Sequence, residues 1–275
     1  MEDDQAARWN GPAGRAWVDE QELLDRMLDP IGDRLLDAIA GRTWRRALDV
    51  GCGTGSTTLA VARRLTPHGT CVGIDVSEPM ITAARARAAR EHTRVEFILA
   101  NAQVYAFEPA SYDLIVSRFG VMFFDDPVRA FTNLRHAATS DAELRLLAWR
   151  SAAENPFMTV AERAAAPMLP DLPARLPDAP GQFAFGSRER VSAILSHSGW
   201  TAVDVHPLDV ACSFPESELL RYLTRLGPVG VFLQGADEAT RRRVVDAVRP
   251  AFEPFVQGAD VSFNAACWLI TGKAG

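Results

Sequence analysis

The stretch that most restricts the fold is Ala47-Leu48-Asp49-Val50-Gly51-Cys52-Gly53-Thr54-Gly55. An apolar run ending in a carboxylate and three alternating glycines reads as a short buried strand, Arg46-Val50, and a tight turn, Gly51-Gly55. A helix over Ser56-Leu65 follows, closed by Thr66-Pro67. Glycines adopt backbone conformations closed to other residues and put no Cβ in a ligand's way, so a small molecule can lie directly on the main chain here.

The same alternation continues downstream. We expect strand Thr70-Ile74, helix Glu78-Arg90, strands Val95-Ala100 and Tyr112-Ser117, helix Pro127-Ala138 and strand Glu143-Trp149. Strands alternating with helices require crossover connections, hence a doubly wound α/β fold with a mainly parallel sheet. The rhythm then breaks. A helix over Asn155-Ala166 leads into Pro167-Gly181, where Pro167, Pro170, Pro173, Pro177 and Pro180 mark a loop that suits a spacer and a substrate gate equally. Helix Ser187-Ser198, strand Val203-Val210, helical stretches Glu216-Leu226 and Glu238-Phe252, and a last strand Phe263-Thr271 complete the chain. Upstream, Trp17, Leu23, Leu24, Met27, Leu28, Ile31, Leu35, Leu36 and Ile39 recur at helical spacing, predicting one or two amphipathic helices over Gly14-Ala40.

A length of 275 residues suits one α/β domain with insertions, and 48% apolar with 23% charged residues suits a packed globule. The net charge of −6 and the scattered basic residues, of which Lys273 is the only lysine, argue against a nucleic-acid partner. Cys52, Cys71, Cys212 and Cys267 are too dispersed to suggest zinc or a disulfide scaffold, so no metal is expected. The acidic start Met1-Glu2-Asp3-Asp4 and the lack of an apolar run near the ~20 residues that span a bilayer predict no membrane partner and a cytoplasmic location.

Asp49-x-Gly51-x-Gly53-x-Gly55 resembles the first motif of the class I, Rossmann-like S-adenosylmethionine-dependent methyltransferases of small-molecule type. The later strand ends fall into step: Asp75 ends the second, Asn101-Ala102-Gln103 follow the third, and Ser117-Arg118-Phe119-Gly120 follow the fourth. The resemblance implies a seven-stranded sheet with an antiparallel last strand, supplied by Phe263-Thr271, and helical lid insertions. It implies S-adenosyl-L-methionine as cofactor, held by Asp49, Gly51, Cys52, Gly53, Gly55, Asp75, Val76, Met80, Asn101, Ala102, Gln103 and Ser117. Asp75 would grip the ribose hydroxyls, as acids do in dinucleotide folds. Asn101 departs from the aspartate most common at its position, though an amide can still bond a purine edge. The expected organisation is a helical lid over 1–44, a cofactor-binding core over 45–150 and a lid insertion over 151–186. The rest of the core spans 187–275, with a helical insertion at about 214–260.

Two other readings stand beside this one. An NAD(P) dehydrogenase would show G-x-G-x-x-G, whereas the third glycine here comes one position early and Ser56 follows it. A non-catalytic binding partner with the same fold would have no reason to keep the glycine turn open. The expected function is methyl transfer to a small metabolite, such as a natural-product or quinone-like ring, on O, N or C. Trp9, Trp17, Phe119 and Phe123 are the candidate acceptor-facing residues, and the protein is expected as monomer or homodimer. His68, His92, His136, His197 and His206 form no constellation, so no catalytic residue is assigned; His206 would be tested first. A sulfonium methyl is already activated, and near-attack positioning can supply about 7–11 kcal/mol of the barrier, so a strong base is optional.

Overall fold

The computed structural model describes residues 4–275 apart from 171, 173, 174, 177 and 178; Met1 to Asp3, Pro173 and Pro177 thus lie outside the described residues. Three helices open the chain: α1 (Asp4–Asn10), α2 (Pro12–Asp19) and α3 (Gln21–Ala38). The first half of the core follows as β1 (Arg46–Val50), α4 (Ser56–Ala62), β2 (Thr70–Asp75), α5 (Glu78–Arg90), β3 (Val95–Leu99), β4 (Tyr112–Arg118), α6 (Pro127–Ala137) and β5 (Ala138–Trp149). Then come α7 (Pro156–Ala165), α8 (Arg188–His197), β6 (Thr201–Pro215), α9 (Leu219–Arg225), α10 (Gly227–Gln234), α11 (Glu238–Val248), β7 (Val256–Gln257) and β8 (Asp260–Lys273).

The sheet has the order β3-β2-β1-β4-β5-β8-β6. The pairs β2–β3, β1–β2, β1–β4 and β4–β5 are parallel, while β8 runs antiparallel between β5 and β6. This is the doubly wound fold with an antiparallel last strand that the resemblance implies; the two-residue β7 is added at the far end of β8. Central strands of such a sheet are covered on both faces and therefore read as unbroken apolar runs. Leu114, Ile115 and Val116 of β4, and Leu146, Leu147 and Ala148 of β5, are all buried. On α3, the predicted stripe Leu23, Leu24, Met27, Leu28, Ile31 and Leu35 faces inward.

The differences from the expected boundaries have local causes. β6 and β8 run past the parallel strands as a long ribbon, pairing from Thr201↔Lys273 to Pro215↔Asp260. β6 is the outer strand, which is why Pro207 is tolerated within it. The helix expected over Glu238-Phe252 stops at Val248 and tightens into a 3-10 turn over Arg249–Phe255, which contains two prolines. α10 lies between the helical stretches expected over Glu216-Leu226 and Glu238-Phe252, and Pro228 occupies its first turn, where its missing N–H costs nothing. No helix among the described residues is long and apolar enough to cross a membrane.

Candidate functional site

The glycine turn sits at the carboxyl end of β1, with φ of 68°, 54° and 85° at Gly51, Gly53 and Gly55, all in the left-handed region that favours glycine. Gly51 N and Cys52 N both donate to Ile74 O, and Gly53 N donates to Asp75 Oδ2 at 2.9 Å, so β2 anchors the bend. A Cβ on Gly51 would stand 2.6 Å from Gly120 Cα, so the turns after β1 and β4 touch backbone to backbone. One on Gly55 would meet the Phe97 ring and Ala84 at 3.0–3.1 Å, which draws α5 and β3 close. At Gly53 the nearest atom would be Met80 Sδ at 3.8 Å, so of the three it alone leaves bare chain beside ordinary space.

Asp49 is buried, with Oδ2 accepting from Thr58 Oγ1 at 2.7 Å and Oδ1 lacking a hydrogen-bond partner among the described residues. Burial pushes its carboxyl up to about 7, against the pull of the Thr58 bond and the Arg118 charge. Asp75, at the tip of β2, accepts from Ser77 N and Gly53 N at 2.9 Å each; burial raises its pKa, and these bonds oppose the rise. Arg118, at the tip of β4, donates to Leu28 O at 3.4 Å. Its pKa is lowered by burial, which the charges of Asp25, Asp49 and Asp29 counter.

The other expected cofactor residues divide into two groups. Asn101 follows β3 directly, and its Oδ1 accepts from Gln103 N at 2.9 Å. Val76 and Met80 flank the Asp75 turn, with Met80 buried in the first turn of α5. Ala102 is buried and its carbonyl accepts from Asn133 Nδ2. The Gln103 side chain is also buried, and its Oε1 accepts from Asp126 N at the start of α6. Ser117 Oγ donates to Val50 O at 2.6 Å and accepts from Gly120 N, tying the tips of β1 and β4. The Cys52 thiol is buried beside Gly73, and its pKa is driven well up by burial, so only its backbone belongs to the turn.

The four candidate acceptor residues fall into two places, with Trp9, Trp17 and Phe123 together and Phe119 apart from them. Trp9 meets Trp17 edge-on at 6.0 Å and Phe123 at 5.1 Å. Phe119, with φ of 69°, stacks on Trp149 at 4.4 Å and 7°. A non-glycine residue held in that region costs of order 1–3 kcal/mol, and the stacked indole helps to hold it. Sequence reasoning missed Asn10, which lies between Trp9 and Trp17 in a segment read only for its rings. Its Nδ2 donates to Val76 O at 3.0 Å and its Oδ1 accepts from Glu78 N at 2.8 Å, while Ser77 Oγ donates to Trp9 O at 2.7 Å. The α1–α2 segment is thereby pinned to the loop that carries Asp75.

Two further contacts join the covers. Gly181 N donates to Met122 O at 3.0 Å, seating the proline-rich segment beside Phe123. Glu20, only 2% exposed at the joint of α2 and α3, pairs with Arg221 and Arg225 of α9, and Arg225 also reaches Asp19 at 2.8 Å. All five histidines are exposed. His206, on the outer strand β6, pairs with Asp204 at 2.6 Å, three strands away from β4.

Residues 47–141 match the family model described as "Methyltransferase domain". The chain is similar to the nocamycin O-methyltransferase of Saccharothrix syringae, at 39% identity over 98 residues that cover 35% of each protein. It is also similar to the aklanonic acid methyltransferase of Streptomyces sp. (strain C5), at 33% identity over 102 residues covering 37% of this chain and 46% of that one. It therefore spans less than half the length of these curated relatives. The likeness to the solved YcgJ protein of Bacillus subtilis, with a TM-score of 0.58 at 18% identity over 89% of this chain and 97% of that one, is one of fold. The match thus covers residues 47–141, with the glycine turn at their start, and describes that part of the chain as a methyltransferase domain.

Proposed function

We propose that this protein transfers a methyl group from S-adenosyl-L-methionine to a small, partly apolar metabolite, such as a natural-product or quinone-like ring. One observation carries the reading. Across neighbouring strand tips the chain sets out, in order, the buried unpartnered Oδ1 of Asp49 on β1, the Asp75 carboxylate on β2 and the Asn101 amide after β3. An ammonium, a ribose diol and a purine edge follow one another in the same order along the cofactor. A buried carboxylate oxygen without a donor is costly, and a ligand ammonium would satisfy it. The bare chain at Gly53 leaves room for a ligand to rest on the turn.

Bound there, the cofactor would supply a methyl activated by its sulfonium. The protein's part would be to orient the reactants and exclude water. Asp75 would fix the sugar, Asp49 and the β1 turn would hold the amino-acid end, and Trp9, Trp17, Phe119 and Phe123 would wall the acceptor side. Apolar rings suit a partly apolar acceptor, and their faces also favour a nearby cation. Positioning of this kind supplies much of the barrier reduction that methyl transfer needs.

Calorimetry tests the assignment. The wild type should bind S-adenosylmethionine or S-adenosylhomocysteine with micromolar affinity, and Asp75→Ala should weaken binding about tenfold or more, the size of a lost hydrogen bond to a charged group. Unchanged affinity in Asp75→Ala removes the site.

A further inference from the structure

We infer that the methyl acceptor carries an ionised acid group of carboxylate type, and that Arg8 of α1 anchors it beside the Trp9 and Phe123 rings. The inference rests on the acceptor-side reading above and narrows it from a partly apolar metabolite to a partly apolar acid.

Arg8 stands in the last turn of α1, with its guanidinium carbon 5.7 Å from the centre of the Trp9 ring and 5.6 Å from that of Phe123. Those two rings meet edge-on at 5.1 Å, so the cation and both rings form one corner of the proposed acceptor wall. The backbone beneath it is fixed. Gly11 N donates to Arg8 O at 3.3 Å, and the next two residues are fastened through Trp9 O and the Asn10 side chain. Ring faces stabilise the charge but leave the N–H edges of the guanidinium unsatisfied.

Other guanidiniums that lie over rings in this protein also hold acids. Arg42 lies over Trp44 and pairs with Asp141 and Glu143; Arg150 lies over Trp268 and pairs with Glu154 and Asp209. Arg175 lies over Phe183 and pairs with Glu162. Arg8 has no hydrogen bond or ion pair among the described residues, although acids outnumber bases by 35 to 29 in the chain. Burial lowers its pKa, and the charge of Arg175 lowers it further. Arg175 commits Nε and Nη2 to Glu162 and Gln182, while its Nη1 has no hydrogen bond among the described residues. A solvated surface arginine needs no partner. Arg8 differs in being held over two rings beside a second cation, where an anion relieves the repulsion.

A carboxylate fits this corner because its two oxygens match the planar fork of a guanidinium. The flat apolar body of such an acid would lie against Trp9 and Phe123. Arg8 thus sets which acceptors are held and takes no part in bond making.

The test compares 2-naphthoate with 2-naphthamide, which share shape and differ in charge. Binding is read by calorimetry on the full chain saturated with S-adenosylhomocysteine. The wild type should prefer the naphthoate by about tenfold or more, as expected for hydrogen bonds to a charged group. Arg8→Met keeps an unbranched chain over the rings, so it should hold the naphthamide within about threefold of the wild type while its preference for the naphthoate falls to about twofold or less. A wild type that binds both probes equally overturns the inference, as does an Arg8→Met variant that keeps the tenfold preference. If the wild type binds S-adenosylhomocysteine but neither naphthalene, the acceptor-side reading has failed; if it does not bind S-adenosylhomocysteine, the cofactor reading has failed. The inference falls in either case.

Discussion

The strand tips that form the glycine-turn site and the aromatic cluster under the helical insertion are built from different material. At the tips of β1, β2 and β4 the chain works through backbone: Gly51 against Gly120, Gly53 N on Asp75, Ser117 between Val50 and Gly120. Under the insertion it works through rings. Phe157 of α7 stacks on Phe263 at 4.1 Å and 5°, and meets Phe252 and Phe255 edge-on at 5.4 and 5.2 Å. Backbone geometry admits few residue types, whereas a ring cluster accepts many repackings of similar volume. The family match over residues 47–141 falls on the first region and stops short of the second.

The comparison can be broken most forcefully at Phe157. Phe157→Ala should cost about 3–5 kcal/mol of stability by opening a cavity, while leaving the S-adenosylhomocysteine affinity of the folded protein within twofold. Denaturant melts and calorimetry read the two separately, and a large affinity loss would mean the regions are not independent. Gly51→Ala should do the reverse. Its Cβ would force the touching turns apart in a residue already at positive φ, so ligand binding should drop by about tenfold or more with a stability cost of about 1–3 kcal/mol. Normal binding in Gly51→Ala would deny the backbone its role.

Glu20→Gln probes the tie between the covers. Weakening the buried contacts to Arg221 and Arg225 should lower stability by about 1–3 kcal/mol and raise protease cleavage between α2 and α3. An unaltered melt and digestion pattern would show the contact to be incidental. A pH series probes Asp49, whose carboxyl is pushed up by burial to about 7 from an ordinary 3.8. Because the folded form holds its proton more tightly, the unliganded protein loses stability from this group as pH rises through that window, by at most about 1.4 kcal/mol per pH unit. Asp49→Asn, neutral throughout, should gain on the wild type from pH 4 to 7 and level off above it. A constant difference across the range would contradict the burial of a protonated acid.

The two regions also differed in how much their sequence disclosed. Asp49-x-Gly51-x-Gly53-x-Gly55 announced a strand, a turn and a helix, because each glycine answers a local steric demand. Asp75 and Asn101 followed from their places at strand ends. Gln103 shows the limit: its position suggested a ligand contact, yet its amide oxygen accepts from Asp126 N, a partner 23 residues away. Asn10 shows the converse, since its partners at Val76 and Glu78 lie more than 60 residues on and no local pattern points to them. The β6–β8 ribbon outran its expected ends because pairing between strands, not propensity within either, sets its length.

The bridge made by Asn10 carries a consequence for the beginning of the chain. Its amide bonds Val76 O and Glu78 N in the loop that holds Asp75, so the fastening of the first helix and the proposed nucleoside site share one loop. Linked equilibria are reciprocal: whatever free energy the nucleoside adds to that fastening, the fastened helix returns to nucleoside affinity in equal measure. Removing the opening ten residues would then reveal itself as a weaker hold on the proposed nucleoside ligand.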